Sequence, residues 1–287
     1  MKRAIIFGAG GQDGHYLKQL LAREGVAVYA YSRIQCNVVS QTHVRSIVRM
    51  AEPDYVFHFA AESSTKHEDW YRNQAAIVDG ALHILEAVKD HAPNCKVYLA
   101  GSILQFQEQH DVSLTSTPSN NTIYAAQRNA MVGYARYYRS TGIQVYVGYF
   151  SHHDSPLRKP HHLAKKLAEE ARLVAKGLSP HMRVMNPDDE KEWNFAGDMM
   201  QAVWEQVNSP IYEAVLGSGV TRSVGDYAKA CMDVLIIDAL IPEEESWAKV
   251  YAEYSREYHT KCCTSYSSFS HCFKTTLPQL AEMMVTG

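Results

Sequence analysis

Residues 3–21 read Arg3-Ala-Ile-Ile-Phe7-Gly8-Ala-Gly10-Gly11-Gln12-Asp13-Gly14-His-Tyr16-Leu17-Lys-Gln-Leu20-Leu21. The apolar run from Arg3 to Phe7 has the length of a strand, four glycines in seven residues form a turn, and Tyr16, Leu17, Leu20 and Leu21 recur at helical spacing. At such a junction the glycines have separate tasks: Gly8 permits the tight turn, Gly11 lets backbone approach a pyrophosphate, and Gly14 lets helix and strand pack closely. The helix N-terminus adds N–H groups and partial positive charge. A turn that needs only positive φ would also use glycine, but a strand before and a helix after select dinucleotide binding, with Gln12 and Asp13 in the same turn.

The alternation continues outward. Gly25 ends the helix, Val26–Tyr31 is a second strand, and Val44, Ile47 and Val48 share one face of a helix that stops near Pro53. A third strand is expected over Tyr55–Phe59, and a helix from about Trp70 to Lys89 carries Ile77, Leu82, Leu85 and Val88. Val97–Ala100 is the next strand, residues 101–123 are a polar loop, Tyr124–Tyr138 a helix and Gln144–Phe150 a strand. Strands separated by helices need crossover connections, so the sheet should be parallel and covered on both faces, an α/β doubly wound Rossmann-type fold. After residue 150 the grammar changes: His152–His162 is dense in His, Pro and basic residues, a helix follows from about His162 to Lys176, and the tail from Gly219 is mixed. At roughly 150 residues per domain, residues 1–150 form a cofactor domain, joined by a returning segment near 193–218. Residues 151–192 and 219–287 form a smaller α/β substrate cap.

Composition narrows the classes of function. With 46% hydrophobic and 21% charged residues the chain suits a packed core. Its 28 Lys plus Arg against 31 Asp plus Glu, a net charge of −3, argue against a nucleic-acid or polybasic membrane surface. The run Ala4–Phe7 is too short for a secretory segment, and Val234–Ile241 contains Asp238 and falls far below the ~20 residues of a spanning helix; a cytoplasmic protein is expected. Six scattered cysteines are no disulfide framework, and Cys262, Cys263, His271 and Cys272 lack the spacing of a zinc site. No metal is expected. After the second strand stands Ser32-Arg33, where an NAD site usually has Asp or Glu; a guanidinium pairs with a 2′-phosphate that a carboxylate would repel. NADP is therefore expected over NAD, with Ser32, Arg33, Asn37, Ala60 and Ala61 completing the cofactor contacts.

Several segments, in order along nearly the whole chain, carry a resemblance. They are Gly11-Gln-Asp-Gly14-His-Tyr-Leu17, Phe59-Ala-Ala-Glu62-Ser63, Val78-Asp-Gly80 with Leu85-Glu-Ala-Val88, and His153-Asp154-Ser155-Pro156. Glu192-Trp193 with Asp198 and Ala202-Val-Trp204, and Gly219-Val-Thr221-Arg-Ser-Val224, complete the set. With Ser102 after the fourth strand and Tyr124-Ala-Ala-Gln-Arg128 opening a helix, the chain resembles an extended short-chain dehydrogenase/reductase of the GDP-mannose 4,6-dehydratase branch. The resemblance implies that Tyr124 exchanges a proton with a sugar hydroxyl, that Ser102 hydrogen-bonds the reacting oxygen, and that the i+4 cation steadies phenolate and holds the nicotinamide ribose. A phenol ordinarily titrates near about 10, so such a cation is needed.

Three departures stand out. The family has Lys where this chain has Arg128, a planar fork in place of a compact ammonium. Its general base, a Glu two residues after the Ser/Thr, is here Leu104. A long excursion after the second strand, implied to build a tetramer, shrinks to Ile34, Gln35 and Cys36, so a homodimer is expected, as is a likeness to GDP-4-keto-6-deoxymannose reductases. The resemblance places Glu62, His152, His153, Lys166, Lys191 and Arg256 around a nucleotide diphosphate sugar, GDP-sugar favoured. His152 would bring a group titrating near working pH. The cluster His152, His153, His161 and His162 is read as substrate loop and helix start, not as a metal site. Three readings follow: an NADP-dependent oxidoreductase at C4 of a nucleotide sugar, which is favoured; a true dehydratase with another base, Glu62 or His153 standing nearest; and a non-catalytic binding subunit.

Overall fold

The computed structural model describes every residue except 63–64, 109, 238–249, 254–263 and 266. The N-terminal half runs β1 (Arg3–Phe7), α1 (Gln12–Arg23), β2 (Ala27–Tyr31), α2 (Gln41–Ala51), β3 (Tyr55–His58), α3 (Trp70–Asn73) and α4 (Gly80–His91). It continues with β4 (Lys96–Ser102), α5 (Ile123–Ser140) and β5 (Gln144–Phe150). The C-terminal half adds β6 (His153–Asp154), α6 (Leu163–Ala175), β7 (Met182–Met185), β8 (Glu190–Glu192), β9 (Asn194–Phe195), α7 (Ala196–Val207) and β10 (Glu213–Leu216). β11 (Thr221–Ser223), α8 (Val224–Ile237), β12 (Val250–Glu253) and α9 (Leu277–Thr286) follow.

Six strands form one sheet in the order β10-β5-β4-β3-β1-β2, all neighbours parallel. β3 is buried throughout and β4 at every residue but its first, as a parallel sheet covered on both faces requires. Val44 and Ile47 of α2, Ile84 and Leu85 of α4 and Met131 of α5 pack on one face. Leu17, Leu20 and Leu21 of α1 pack with Met199 and Val203 of α7 on the other. Each such side chain contributes about 2 kcal/mol relative to exposure. A third core joins α6, α8 and α9 around Trp193 and Tyr227.

The usual doubly wound order places one more strand beyond the second. Here the short connection expected from Ile34, Gln35 and Cys36 makes a turn, with Cys36 N–H donating to the Ser32 carbonyl, then a second turn at Asn37–Ser40 leading straight into α2. β2 therefore forms the sheet edge.

The single helix expected from Trp70 to Lys89 is interrupted by a π-helical stretch, Gln74–Asp79. There the His58 ring donates to the Ala76 carbonyl at 3.0 Å, and Gly80 passes so close to Val38 that a Cβ would sit 2.8 Å from its side chain. A π turn absorbs such a side-chain intrusion by widening the ladder. The strands β6 to β9 escape sequence reading because they span two to four residues each, too few for alternation to be legible.

The passage from the sheet to the third core is organised by Glu192, which has no exposed surface. Its carboxylate accepts hydrogen bonds from Ser151 Oγ, Asn194 Nδ2 and the Ser218 N–H, each at 3.0 Å, and from the Ser265 N–H. Gly217 is obligatory beside it, since a Cβ would stand 2.4 Å from both Glu192 Oε2 and Ser151 Oγ. Glu192→Gln puts an N–H₂ donor among donors and should lower unfolding free energy by about 2–4 kcal/mol, read from urea titrations; a change below 1 kcal/mol, on the scale of a surface substitution, would show that the node is not needed.

Candidate active site

A cleft of about 1360 Å³ opens above the C-terminal ends of β1, β2 and β3. Its walls are the turn from Gly8 to Gly14, Ser32–Val39, Phe59–Glu62, Thr65–Ala76 and Leu157–His162. Gly8, Gly11, Gln12, Asp13, Gly14, Ser32, Arg33, Asn37, Ala60 and Ala61 all line it. The shape has a steric origin. Gly8 adopts φ +93°, and a Cβ there would lie 2.6 Å from the Ala60 nitrogen; one on Gly14 would lie 2.6 Å from the Gly8 carbonyl oxygen. Gly11 caps α1 without a side chain, so the first-turn N–H groups remain for a bound anion. This cradle fits a dinucleotide pyrophosphate. Arg33, Lys66, Arg72, Arg158 and Lys159 outnumber Asp13, Glu62 and Asp69 along the walls. The local charge is thus positive in a protein of net charge −3.

The turn is fastened to the segment after β5. Gln12 is buried; its Nε2 donates to the His153 carbonyl at 3.2 Å and its Oε1 accepts from Ser155 Oγ at 2.9 Å. His153 Nδ1 donates to the Ser151 carbonyl at 2.8 Å, and Nε2 stands 3.0 Å from Asp13 Oδ1. Burial pushes the Asp13 carboxyl up, but the charge and hydrogen bond of His153 and the charge of Arg158 outweigh it, leaving the group below its usual range. The structure thus places His153, read from sequence on the substrate side, against the phosphate turn.

Asp154 is buried between Arg158 Nε at 3.1 Å and Lys191 Nζ at 3.6 Å. Lys191 in turn lies 4.4 Å over the Trp193 ring, which stacks on Tyr227 at 4.2 Å. Against a burial penalty, these two cations and His153 hold the Asp154 carboxyl well below the usual range. His152 corrects the sequence expectation of a group titrating near working pH: burial, then the Lys191 charge, lowers it to about 3, so it is neutral at pH 7. Burial and the Arg158 charge likewise bring His162 to about 4.

Two more of the expected residues can be placed. Glu62 lies 3.6 Å from Arg33 at the mouth of the cofactor cleft. Lys166 is exposed on α6, 3.8 Å from Glu170, and does not line the cleft, whereas Arg158 and Lys159 do. Arg256 lies outside the described residues. Arg158 was legible only as part of a basic segment, because i+4 pairing with Asp154 needs the turn that brings them together.

Thr122 Oγ1 caps α5, accepting from the Ala125 N–H at 3.1 Å, and sets Tyr124 in its first turn. One turn later Arg128 Nε donates to Tyr124 Oη at 3.2 Å, its guanidinium 5.2 Å over the same ring. The other arm donates to the Ala100 carbonyl of β4. Both residues are buried, and neither is among those that line the cleft. Ser102, ending β4, accepts from the Leu104 N–H at 3.2 Å in a capping box with Gln105. Leu104 itself is half-buried and packs against the apolar core. Sequence reading missed His58, whose signal is a lone polar residue closing the apolar strand Tyr55-Val56-Phe57. Burial, then the Arg128 charge, lowers it to about 4. It is neutral, with Nε2–H on Ala76 and Nδ1 without a partner among the described residues.

The parallel sheet with its glycine turn at the first strand–helix junction, and a helix presenting Tyr124 and Arg128 one turn apart, belong to a Rossmann-type doubly wound α/β fold. Residues 30–268 match the model of the GDP-mannose 4,6 dehydratase family, and the chain belongs to that family. GDP-mannose 4,6 dehydratase 2 of Arabidopsis thaliana is 27% identical over 238 residues, covering 71% of this chain and 64% of its own. The GDP-mannose 4,6-dehydratase of Sinorhizobium fredii is 25% identical over 265 residues, 79% of this chain and 75% of its own. The match spans just under two thirds of the Arabidopsis relatives' length. In fold, the chain is similar to the Thermus thermophilus UDP-glucose 4-epimerase complex with NAD (TM-score 0.82, 19% identity, covering 99% of this chain and 98% of that one). RMD from Pseudomonas aeruginosa complexed with NADPH gives a TM-score of 0.84 at 15% identity, covering 100% and 98%. Among the described residues no helix is long and apolar enough to cross a membrane.

The depressed Asp154 fixes a pH dependence. Its folded-state contribution is complete above the ordinary aspartate pKa and is lost as pH falls below it. The stability difference between the wild type and Asp154→Asn should therefore narrow by about 1 kcal/mol from pH 7 to pH 3. An unchanged difference in urea titrations would contradict the ion triad.

Proposed function

We propose that this protein is an NADP-dependent oxidoreductase acting at C4 of a nucleotide diphosphate sugar, a keto-sugar reductase within the dehydratase family, with GDP the favoured nucleotide. The observation that carries the reading is a tyrosine still hydrogen-bonded by a cation one turn away, Arg128 to Tyr124, with the apolar Leu104 packed against the core where the family has its Glu. Leucine cannot accept a carbon-bound proton, and a dehydration without its general base forfeits about 100- to 10,000-fold in rate. Reduction at a carbonyl needs no such base.

A nicotinamide cofactor on the glycine turn would supply the hydride. Tyr124 delivers the proton to the sugar oxygen, and Arg128 steadies the phenolate that remains, already bonded to Tyr124 Oη and braced on β4. Ser102 orients the same oxygen. Arg33 offers its guanidinium to a 2′-phosphate at the cleft mouth, which would take the place that Glu62 now holds at 3.6 Å; solved neighbours carry NAD in one case and NADPH in another. Arg158 and Lys159 offer charge to the diphosphate. A homodimer is part of the reading: a shallow cleft of about 510 Å³ between α4 and α5, lined by Leu82, Ala130, Gly133, Tyr134, Tyr137 and Tyr138, presents an apolar face suited to a second copy.

Two incubations test the chemistry. A GDP-4-keto-6-deoxy sugar with NADPH should give loss of reduced-cofactor absorbance, and Tyr124→Phe should lower kcat by about 100-fold or more with a smaller change in KM. GDP-mannose with NADP should show no rapid loss of water by mass. Robust water loss would overturn the reading in favour of a dehydratase, a possibility the family membership itself supports. No turnover on any keto-sugar, with a large gain in Arg128→Lys, would identify a decayed site.

A further inference from the structure

Outside the cleft, on the face of the sheet covered by α1 and α7, the end of α7 meets a short turn, Ser270–Cys272. Glu205 Oε2 lies 2.7 Å from His271 Nε2, and Cys272 Sγ lies 3.7 Å from the same nitrogen. Gln201 donates to Glu205 Oε1 at 3.2 Å and so turns Oε2 towards the other two. The three ligand atoms fall within 4.8 Å of one another, the one such trio of His, Cys and acidic groups among the described residues. Metal bonds of about 2.0–2.3 Å at tetrahedral angles separate neighbouring ligands by about 3.5 Å. The thiol already stands at that spacing from the imidazole. The carboxylate must withdraw by less than about an ångström, which its partly exposed side chain allows.

We propose that Glu205, His271 and Cys272 bind one divalent cation of the zinc class, with water at the fourth corner. The donor set of thiolate, imidazole and carboxylate suits borderline Zn²⁺ rather than Mg²⁺ or Ca²⁺. Cys272 is 2% exposed, so sulfur forms the floor, while the His271 side chain is 64% exposed and leaves the outer corner to solvent. On binding, Cys272 releases its thiol proton to solvent and His271 ligates through the Nε2 lone pair, its remaining proton on Nδ1. Asp198, in the first turn of α7, already accepts from the N–H groups of Lys274 and Thr275 at 3.0 and 2.7 Å. A cation at Glu205 would clip the same tail to the other end of that helix. The sequence hid the site because Glu205 is remote from the His271-Cys272 pair and no CxxC spacing announces it.

Co²⁺ titrated into metal-free protein should bind at 1:1 with a thiolate-to-cobalt band in the near ultraviolet and tetrahedral bands in the visible. Zn²⁺ should displace it and raise Tm by about 5 °C. Cys272→Ser should abolish the thiolate band. His271→Ala, which alters an exposed ring and so leaves the fold intact, should weaken Co²⁺ binding at least about tenfold. A double Cys262→Ser, Cys263→Ser variant should keep the band. No thiolate band in the wild type, its survival in Cys272→Ser, undiminished affinity in His271→Ala, or its loss in the double variant would each overturn the proposal.

Discussion

A carboxylate removed entirely from water must have its lone pairs met, and Glu192 meets them with donors from four separate stretches of chain. An ion buried without such partners costs several kcal/mol; saturated, it fixes where those stretches cross. They are the end of β5, the start of β9, the residue after Gly217 and the Ser265 backbone. The chain leaves the sheet and returns to it through this point, so the geometry of residues 151–156 is set here before any ligand is considered. The crowding around Gly217 shows how little room the arrangement leaves.

From that fixed point the site divides into two chemical environments. The open cleft is polar, basic along one wall and glycine-lined along another. Behind it, Tyr124, Arg128 and His58 form a buried group that contains one permanent cation and a neutral imidazole. Arg128 divides its guanidinium between Tyr124 and the Ala100 carbonyl, bracing both from one rigid plane as the flexible point charge of a lysine does not. The pair is thus organised to hold a phenol oxygen in place.

Much of the fold was legible because parallel strands announce themselves as short apolar runs and their covering helices by stripes such as Val44, Ile47 and Val48. The glycine turn was legible because steric exclusion at Gly8 and Gly14 leaves no other residue type. What stayed hidden depends on partners distant in sequence. Residue type could not show that Glu62 would turn towards Arg33, that Lys166 would face solvent, or that Lys191 and burial would keep His152 neutral. The π stretch was invisible for the same reason, since its cause is His58, far back along the chain from Ala76. Helical periodicity gives a face but not the neighbour that face will meet.

One joint between the two halves carries a thermodynamic implication. Gln12 belongs to the helix start beneath the glycine turn, yet both ends of its amide are committed to residues 153 and 155. A ligand seated on the turn and one seated beside that segment share a wall one side chain thick. Reciprocity then applies: whatever factor the first occupant imposes on the affinity of the second, the second returns in full. Any such coupling has a single glutamine amide to pass through.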